Sequence, residues 1–201
     1  ASFSKSFNYF INTNSTAASP YKFVLKDANG KEIKELQNNN ELLSKLQKDN
    51  FVTKEFITIP NSVGDQLNAW IIKPKNFDPN KKYPLFMFQY SGPGSQQVSN
   101  SWDGGNGIWF EMLAQKGYVV ACVDGRGTGF KGAKFKKVTY KQLGKYEIED
   151  QITAAKWFGN QSYIDKSRIG IFGWSFGGYM TSLAMTKGAD VFKMGIAVAP
   201  V

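Results

Sequence analysis

Apolar residues change their spacing once along this chain, near position 51, and the change separates two kinds of element. Before it, Phe3, Phe7, Tyr9 and Ile11 alternate with polar neighbours, and Tyr21, Phe23 and Leu25 do so again. Period two predicts half-buried strands, because successive side chains of a strand point to opposite faces. Asn29-Gly30 lies between two such stretches, 22–26 and 31–36, and Asn-Gly supplies the positive φ angles of a tight hairpin turn. An Asn-rich run then precedes Leu42, Leu43 and Leu46, which share one helical face and predict a short connecting helix over 41–48.

Beyond position 51 two strands, 51–59 and 67–72, flank a turn at 61–65, and a Pro-, Asn- and Lys-rich loop covers 73–84. An alternation follows. Continuous apolar runs of strand length occur at 84–90, 118–123, 168–172 and 194–199. Between them, helical patterns cover 108–115, closed by Gly117; the segment through Ile148, Ile152, Ala155 and Phe158 that ends near Gly159; and 176–186, closed by Gly188. Four buried strands alternating with three helices predict a mostly parallel sheet with helices on both faces, the α/β class.

Composition narrows the chemistry. The 201 residues are 42% hydrophobic and 15% aromatic, ample for a core. The lone Cys122 excludes an internal disulfide framework or a Cys-based zinc cluster and reads as an inert core thiol. Histidine is absent, so no residue here can serve as an imidazole base or a His ligand. The net charge of +9 comes largely from scattered lysines, with one cluster at Lys131, Lys134, Lys136, Lys137, Lys141 and Lys145. It reads as a solvated surface, not a nucleic-acid patch, since no zinc-finger or RNP-like motif accompanies it. No apolar run approaches the roughly 18 residues of a membrane span, and positions 1–10 lack the charged-then-apolar pattern of a secretory signal.

Gly173-Trp174-Ser175-Phe176-Gly177 matches G-x-S-x-G in the context that motif requires, a strand before and a helix after. The strand-to-helix reversal is tight enough to need glycines, and it thrusts the serine out at the carboxyl end of the sheet. The Phe176 amide, at a helix N-terminus, can then stabilise an oxyanion. A serine hydroxyl also needs a base, normally a His oriented by an Asp, and in the α/β-hydrolase fold both follow the serine along the chain. Only twenty-six residues follow Ser175 and none is His. The expectation is an internal piece of a larger hydrolase, inactive by itself; a hydrolase fold that has lost catalysis is the alternative.

Five blocks carry a resemblance: Gly173–Tyr179 (GWSFGGY), Asp124–Gly129 (DGRGTG), Tyr90–Gln96 (YSGPGSQ), Tyr146–Ile152 (YEIEDQI) and Ile196–Val201 (IAVAPV). Together they resemble the dipeptidyl peptidase IV branch of the prolyl oligopeptidase family. The resemblance implies an incomplete α/β-hydrolase catalytic domain over 51–201, preceded over 1–50 by the terminal antiparallel strands of a β-propeller and a connector. It implies Ser175 as the acyl-forming nucleophile, with the Phe176 N–H and the Tyr90 hydroxyl as oxyanion donors. Phe176 and Val201 would line the pocket for a substrate proline; the family often has Tyr where Phe176 stands. The implied activity is removal of N-terminal dipeptides with Pro or Ala second, from peptides with a free N-terminus. No cofactor, metal or nucleic acid is implied. A homodimeric, exported, periplasmic or membrane-tethered parent protein is. An acylaminoacyl peptidase or oligopeptidase of the same family, or a catalytically dead interaction module, are the competing readings.

Other polar residues invite structural readings. Asp124 is expected to organise its loop through local amides or Arg126. Glu147, Glu149 and Asp150 are expected to favour the positive end of the helix they open, and 125–129 is expected to be a flexible loop. Trp174 and Tyr179 are expected to pack the elbow.

Overall fold

The computed structural model describes all 201 residues, which fall into two compact units: 1–53 with 99–111, and 54–98 with 112–201. In the first, β1 (Ser2–Phe3), β2 (Tyr9–Thr16), β3 (Ser19–Asp27) and β4 (Glu32–Gln37) form an antiparallel sheet in sequence order, followed by α1 (Asn40–Lys48). The Asn29-Gly30 turn is present as expected: Gly30 has φ 84°, and the Asp27 carboxylate accepts from the amides of Asn29 and Lys31. The expected half-burial holds only in part, with Ile11, Phe23 and Leu25 half-buried. Phe3, Phe7 and Tyr9 are exposed, as is every residue of β4, and Phe7 lies in the turn between β1 and β2 at φ 57°. Their alternation sets which face each occupies, but within this unit little covers that face. Residues from 99–111 do join this unit, with the Trp102 carbonyl accepting from the Tyr21 hydroxyl at 2.8 Å and the Trp102 ring packing, tilted, 5.7 Å from that of Phe51.

The second unit holds a six-stranded sheet. Its strands are β5 (Glu55–Pro60), β6 (Gln66–Ile72), β7 (Tyr83–Phe88), β8 (Val119–Asp124), β9 (Ile164–Trp174) and β10 (Met194–Val198), and the helices along the chain are α2 (Gly105–Gln115), α3 (Gly132–Lys137), α4 (Tyr146–Gly159) and α5 (Phe176–Lys187). The order across the sheet is β10-β9-β7-β8-β6-β5. β7 to β10 are parallel, as the run of apolar segments predicts, while β6 joins β8 antiparallel and β5 closes a hairpin onto β6. That hairpin turn is built by Asn61, whose side-chain carbonyl accepts from the amides of Val63 and Asp65.

β8 shows why the central runs are continuously apolar. All six of its residues are buried, Val119, Ala121 and Val123 in the main core and Val120 and Cys122 on the opposite face. A strand covered on both faces has no polar side to expose. The main core joins these to Leu85, Met87, Ile169 and Ile171 from the neighbouring strands and to Ile148, Ala155, Phe158, Met180 and Ala184 from α4 and α5. β10 departs from the expected buried strand. It is the edge of the sheet, paired on one side only, and all five residues are exposed. α3 was not foreseen, because a six-residue helix with only Phe135 buried carries no readable period.

Strand order reverses at β7: β8 lies on one side of it and β9 on the other. In an open α/β sheet the loops at such a reversal leave the carboxyl ends of neighbouring strands in opposite directions and open a crevice between them. The segments that leave β7 and β9 there are Gln89-Tyr90 and Ser175-Phe176.

Candidate active site

Ser175 stands between β9 and α5 at φ 57°, ψ −119°. A side chain is strained there, and the geometry persists only because its surroundings over-determine it. Those surroundings are mostly backbone. A Cβ on Gly173 would collide with the carbonyl of Gly177 and lie 2.5 Å from Gln89 Nε2; one on Gly177 would lie 2.5 Å from the Gln89 carbonyl oxygen; one on Gly178 would lie 2.7 Å from that of Val198. The Ser175 amide donates to Val198 O at 2.9 Å, and its carbonyl accepts from the Tyr179 amide at 3.0 Å. The Ser175 side chain makes no capping bond to the helix it opens. Its hydroxyl is thus not taken up by the helix, while the Phe176 amide belongs to the first turn of α5, whose N–H groups have no partner within the helix.

Tyr90 meets this elbow across the crevice. The backbone of β7 reaches it through Gln89, whose amide donates to Phe172 O at 3.1 Å. The Tyr90 Cα would lie 3.2 Å from a Cβ on Gly177, and its ring lies 6.4 Å from that of Phe176. Phe176 in turn meets Tyr179 edge-on at 5.6 Å. Ser175, Phe176 and Tyr90 therefore come together. Val201 lies three residues past β10, 76% exposed, at the end of the segment that Gly178 abuts. Of the two aromatics expected to pack the elbow, Tyr179 does so, whereas Trp174 is 61% exposed because the last residue of β9 turns its side chain outward.

Sequence reasoning passed over Gln89. It is completely buried; its Nε2 donates to Gly177 O at 2.7 Å and to Thr181 Oγ1 at 3.2 Å, and its Oε1 accepts from the Ser91 hydroxyl at 3.0 Å. The available signal was an amide inside an otherwise apolar run, since a buried carboxamide must find partners.

The loop after β8 is committed throughout. Asp124 accepts from the amides of Gln97 and Val98 at 3.0 and 2.8 Å. Burial pushes its carboxyl above the ordinary range, and those two amides pull against that rise. Of the two kinds of partner expected for Asp124, it takes backbone amides and not Arg126. Arg126 turns instead to Asp150, meeting it at 2.7 Å through Nη2 and again through Nε and its own backbone amide, with Glu149 at 3.2 Å. Burial opposes the guanidinium's charge, but the two carboxylates hold it above its ordinary value. Asp150 is thus the fully buried half of an ion pair, beyond any role at the start of α4. Glu147 is buried too, its carboxyl pushed up by burial and its Oε1 without a partner. The 125–129 segment is a braced loop instead of a flexible one: Gly127 O accepts from Gly94 N at 2.8 Å and Ser95 O from Gly129 N at 2.9 Å. A cleft of about 630 Å³ beside it, lined by Val63, Asp65, Arg126, Lys131, Lys134 and Phe135, is separate from the elbow.

The family model described as the prolyl oligopeptidase family matches residues 108–201. The chain is 46% identical over 173 residues to prolyl endopeptidase FAP of Homo sapiens, covering 85% of this chain and 22% of that one. It is 37% identical over 202 residues to the probable dipeptidyl peptidase 4 of Aspergillus flavus, covering 100% of this chain and 26% of that one. Among solved structures, Porphyromonas gingivalis dipeptidyl peptidase 4 superposes with a TM-score of 0.91 at 48% identity, over 99% of this chain and 28% of that one. The chain thus spans about a quarter of the length of the curated relatives it matches. The fold is the expected one, an α/β-hydrolase sheet preceded by antiparallel strands of the propeller type. By sequence and fold together, the chain is similar to members of the prolyl oligopeptidase family, dipeptidyl peptidase 4 proteins among them.

Proposed function

We propose that these residues carry the nucleophile of a serine exopeptidase that releases N-terminal dipeptides with Pro or Ala in the second position. The observation that carries the reading is the strained Ser175 at the head of α5, its side chain making no capping bond to that helix, beside Phe176, whose ring lies 6.4 Å from that of Tyr90. In this mechanism Ser175 Oγ attacks the carbonyl carbon of the substrate's second residue. The proton passes to a histidine, and the new oxyanion accepts from the Phe176 N–H and the Tyr90 hydroxyl. Collapse returns that proton to the leaving amine and leaves the dipeptide esterified to Ser175; water then releases it by the same steps. Phe176 and Val201 offer apolar surface to the proline ring.

The 201 residues contain no histidine, so in this reading the base belongs to sequence outside them, with the acid that orients it, and these residues by themselves are inert. The proposal also assigns 1–50 to the end of the propeller and its connector and 51–201 to the catalytic domain. A homodimeric, exported or membrane-tethered enzyme acting on peptides with a free N-terminus completes it. Likeness to a relative named prolyl endopeptidase favours one second reading, cleavage within chains or of blocked peptides.

The test is hydrolysis of a chromogenic Gly-Pro amide and its N-blocked counterpart by the full-length enzyme containing this sequence. Turnover of the free amine alone, reduced at least about 10⁴-fold by Ser175→Ala, is the expected result. Cleavage of the blocked substrate would favour the second reading, and turnover that survives Ser175→Ala would remove the nucleophile assignment.

A further inference from the structure

We propose that Gln89 is a positioning residue that fixes the two oxyanion donors relative to each other; this rests on the peptidase reading above. The two donors sit on different elements, the Phe176 amide on α5 and the Tyr90 phenol on the segment leaving β7. They must converge on one developing charge, where supporting groups hold productive geometry to within about 0.5 Å. One carboxamide joins the two elements beside both donors. Gln89 precedes Tyr90, and its two N–H bonds go to the residue after Phe176 and to Thr181, one turn further along α5. Its carbonyl end takes the hydroxyl of Ser91, the residue after Tyr90.

Tyr90 is thus bracketed by two residues bonded to each other. Ser91 is itself held, buried at φ 61°, by Gln151 Nε2 at 3.2 Å, and that same nitrogen donates to Val123 O at 2.9 Å. The chain of contacts runs from the elbow through Gln89, Ser91 and Gln151 to the end of β8, entirely inside the protein. Every polar atom of the Gln89 side chain is used in it. A residue serving only to fill space at this point would need no amide.

The discriminating experiment is a double-mutant cycle in the full-length enzyme between Gln89→Leu and Tyr90→Phe, read as kcat and KM for Gly-Pro amide hydrolysis per active site. Sites are counted by the stoichiometry of fluorophosphonate labelling, so that any loss of folded protein drops out. Gln89→Leu is expected to lower kcat roughly 10- to 100-fold while KM changes less than about threefold, and to cost less than about threefold once Tyr90 is already Phe. Ser91→Ala removes the donor to the Gln89 carbonyl and the acceptor for Gln151 Nε2, which keeps its bond to Val123 O, and should show the same coupling at roughly 3- to 10-fold; it decides the matter if Gln89→Leu does not fold. Equal losses in the two backgrounds, or a kcat per labelled site unchanged by both variants, would overturn the positioning role. Full activity in Tyr90→Phe alone would instead refute the oxyanion assignment on which the inference stands.

Discussion

Two loops leave the carboxyl ends of parallel strands in this sheet and treat their polar groups in opposite ways. At the end of β8 and in the loop after it, Asp124, Arg126 and Thr128 are buried and fully engaged: Asp124 by two amides, Arg126 by Asp150 and Glu149, Thr128 by the Gly125 carbonyl at 2.8 Å. After β9, the Ser175 backbone is strained and its hydroxyl makes no capping bond. A loop that brings charges together to satisfy one another is architecture, whereas one that stores strain and keeps a nucleophilic atom uncommitted is poised for chemistry. Counting charged residues points to the loop after β8; asking which groups are already satisfied points to the one after β9, where the proposed nucleophile stands.

The comparison can be broken by variants in either loop. The largest change in stability is expected for Arg126→Met, which strands the Asp150 carboxylate in the interior. It should cost about 3–5 kcal/mol in denaturant unfolding, with turnover per folded molecule within a few-fold of the parent enzyme. A catalytic collapse greater than its loss of folded protein would show that the β8 loop does more than brace. Gly177→Ala should do the reverse. Its methyl meets the Gln89 carbonyl, so stability falls by a smaller amount, about 1–3 kcal/mol, while kcat per folded molecule drops by about 10² or more through displacement of the Phe176 amide proposed as an oxyanion donor. Retained kcat would show that the elbow tolerates slack.

The smallest effect concerns Glu147. Burial raises its carboxyl in the folded state, so the folded protein holds this proton more tightly than the unfolded chain does. Its stabilising contribution is present below the ordinary Glu range and is lost as pH rises through the raised folded value, at no more than about 1.4 kcal/mol per pH unit for one proton. Glu147→Gln should flatten that decline in unfolding free energy; Asp124, raised by burial as well, leaves a remainder of the same sign. Asp165 works the other way. Ser167 and Arg168 bring its carboxyl down to about 2, so its contribution disappears only as pH falls from the ordinary Asp range toward that value. An unchanged profile in Glu147→Gln would mean that the side chain is hydrated in solution.

How much of this was legible beforehand follows from what each feature depends on. The parallel strands were readable because burial on both faces forces an unbroken apolar run such as 119–123, and the elbow because two close backbone approaches restrict Gly173 and Gly177 to glycine. The Asn29-Gly30 hairpin was readable because its turn needs a positive φ. What remained hidden depends on partners far along the chain. Arg126 lies twenty-four residues from Asp150, and Gln89 eighty-eight from Gly177, so nothing local states that either pair will meet. Exposure of β4 and β10 was hidden for a related reason, since alternation and apolarity show which side chains seek cover but not whether an element arrives to give it.

β10 has a practical side. Met194, Ile196 and Val198 are 44%, 41% and 41% exposed along a strand with one row of backbone amides and carbonyls unpaired. Such a margin is a template for another copy of itself, and it carries no proline or inward charge to discourage stacking. Material made of these residues alone is best handled as a sticky, aggregation-prone preparation, kept dilute and screened for oligomers before any spectroscopic signal from it is ascribed to a monomer.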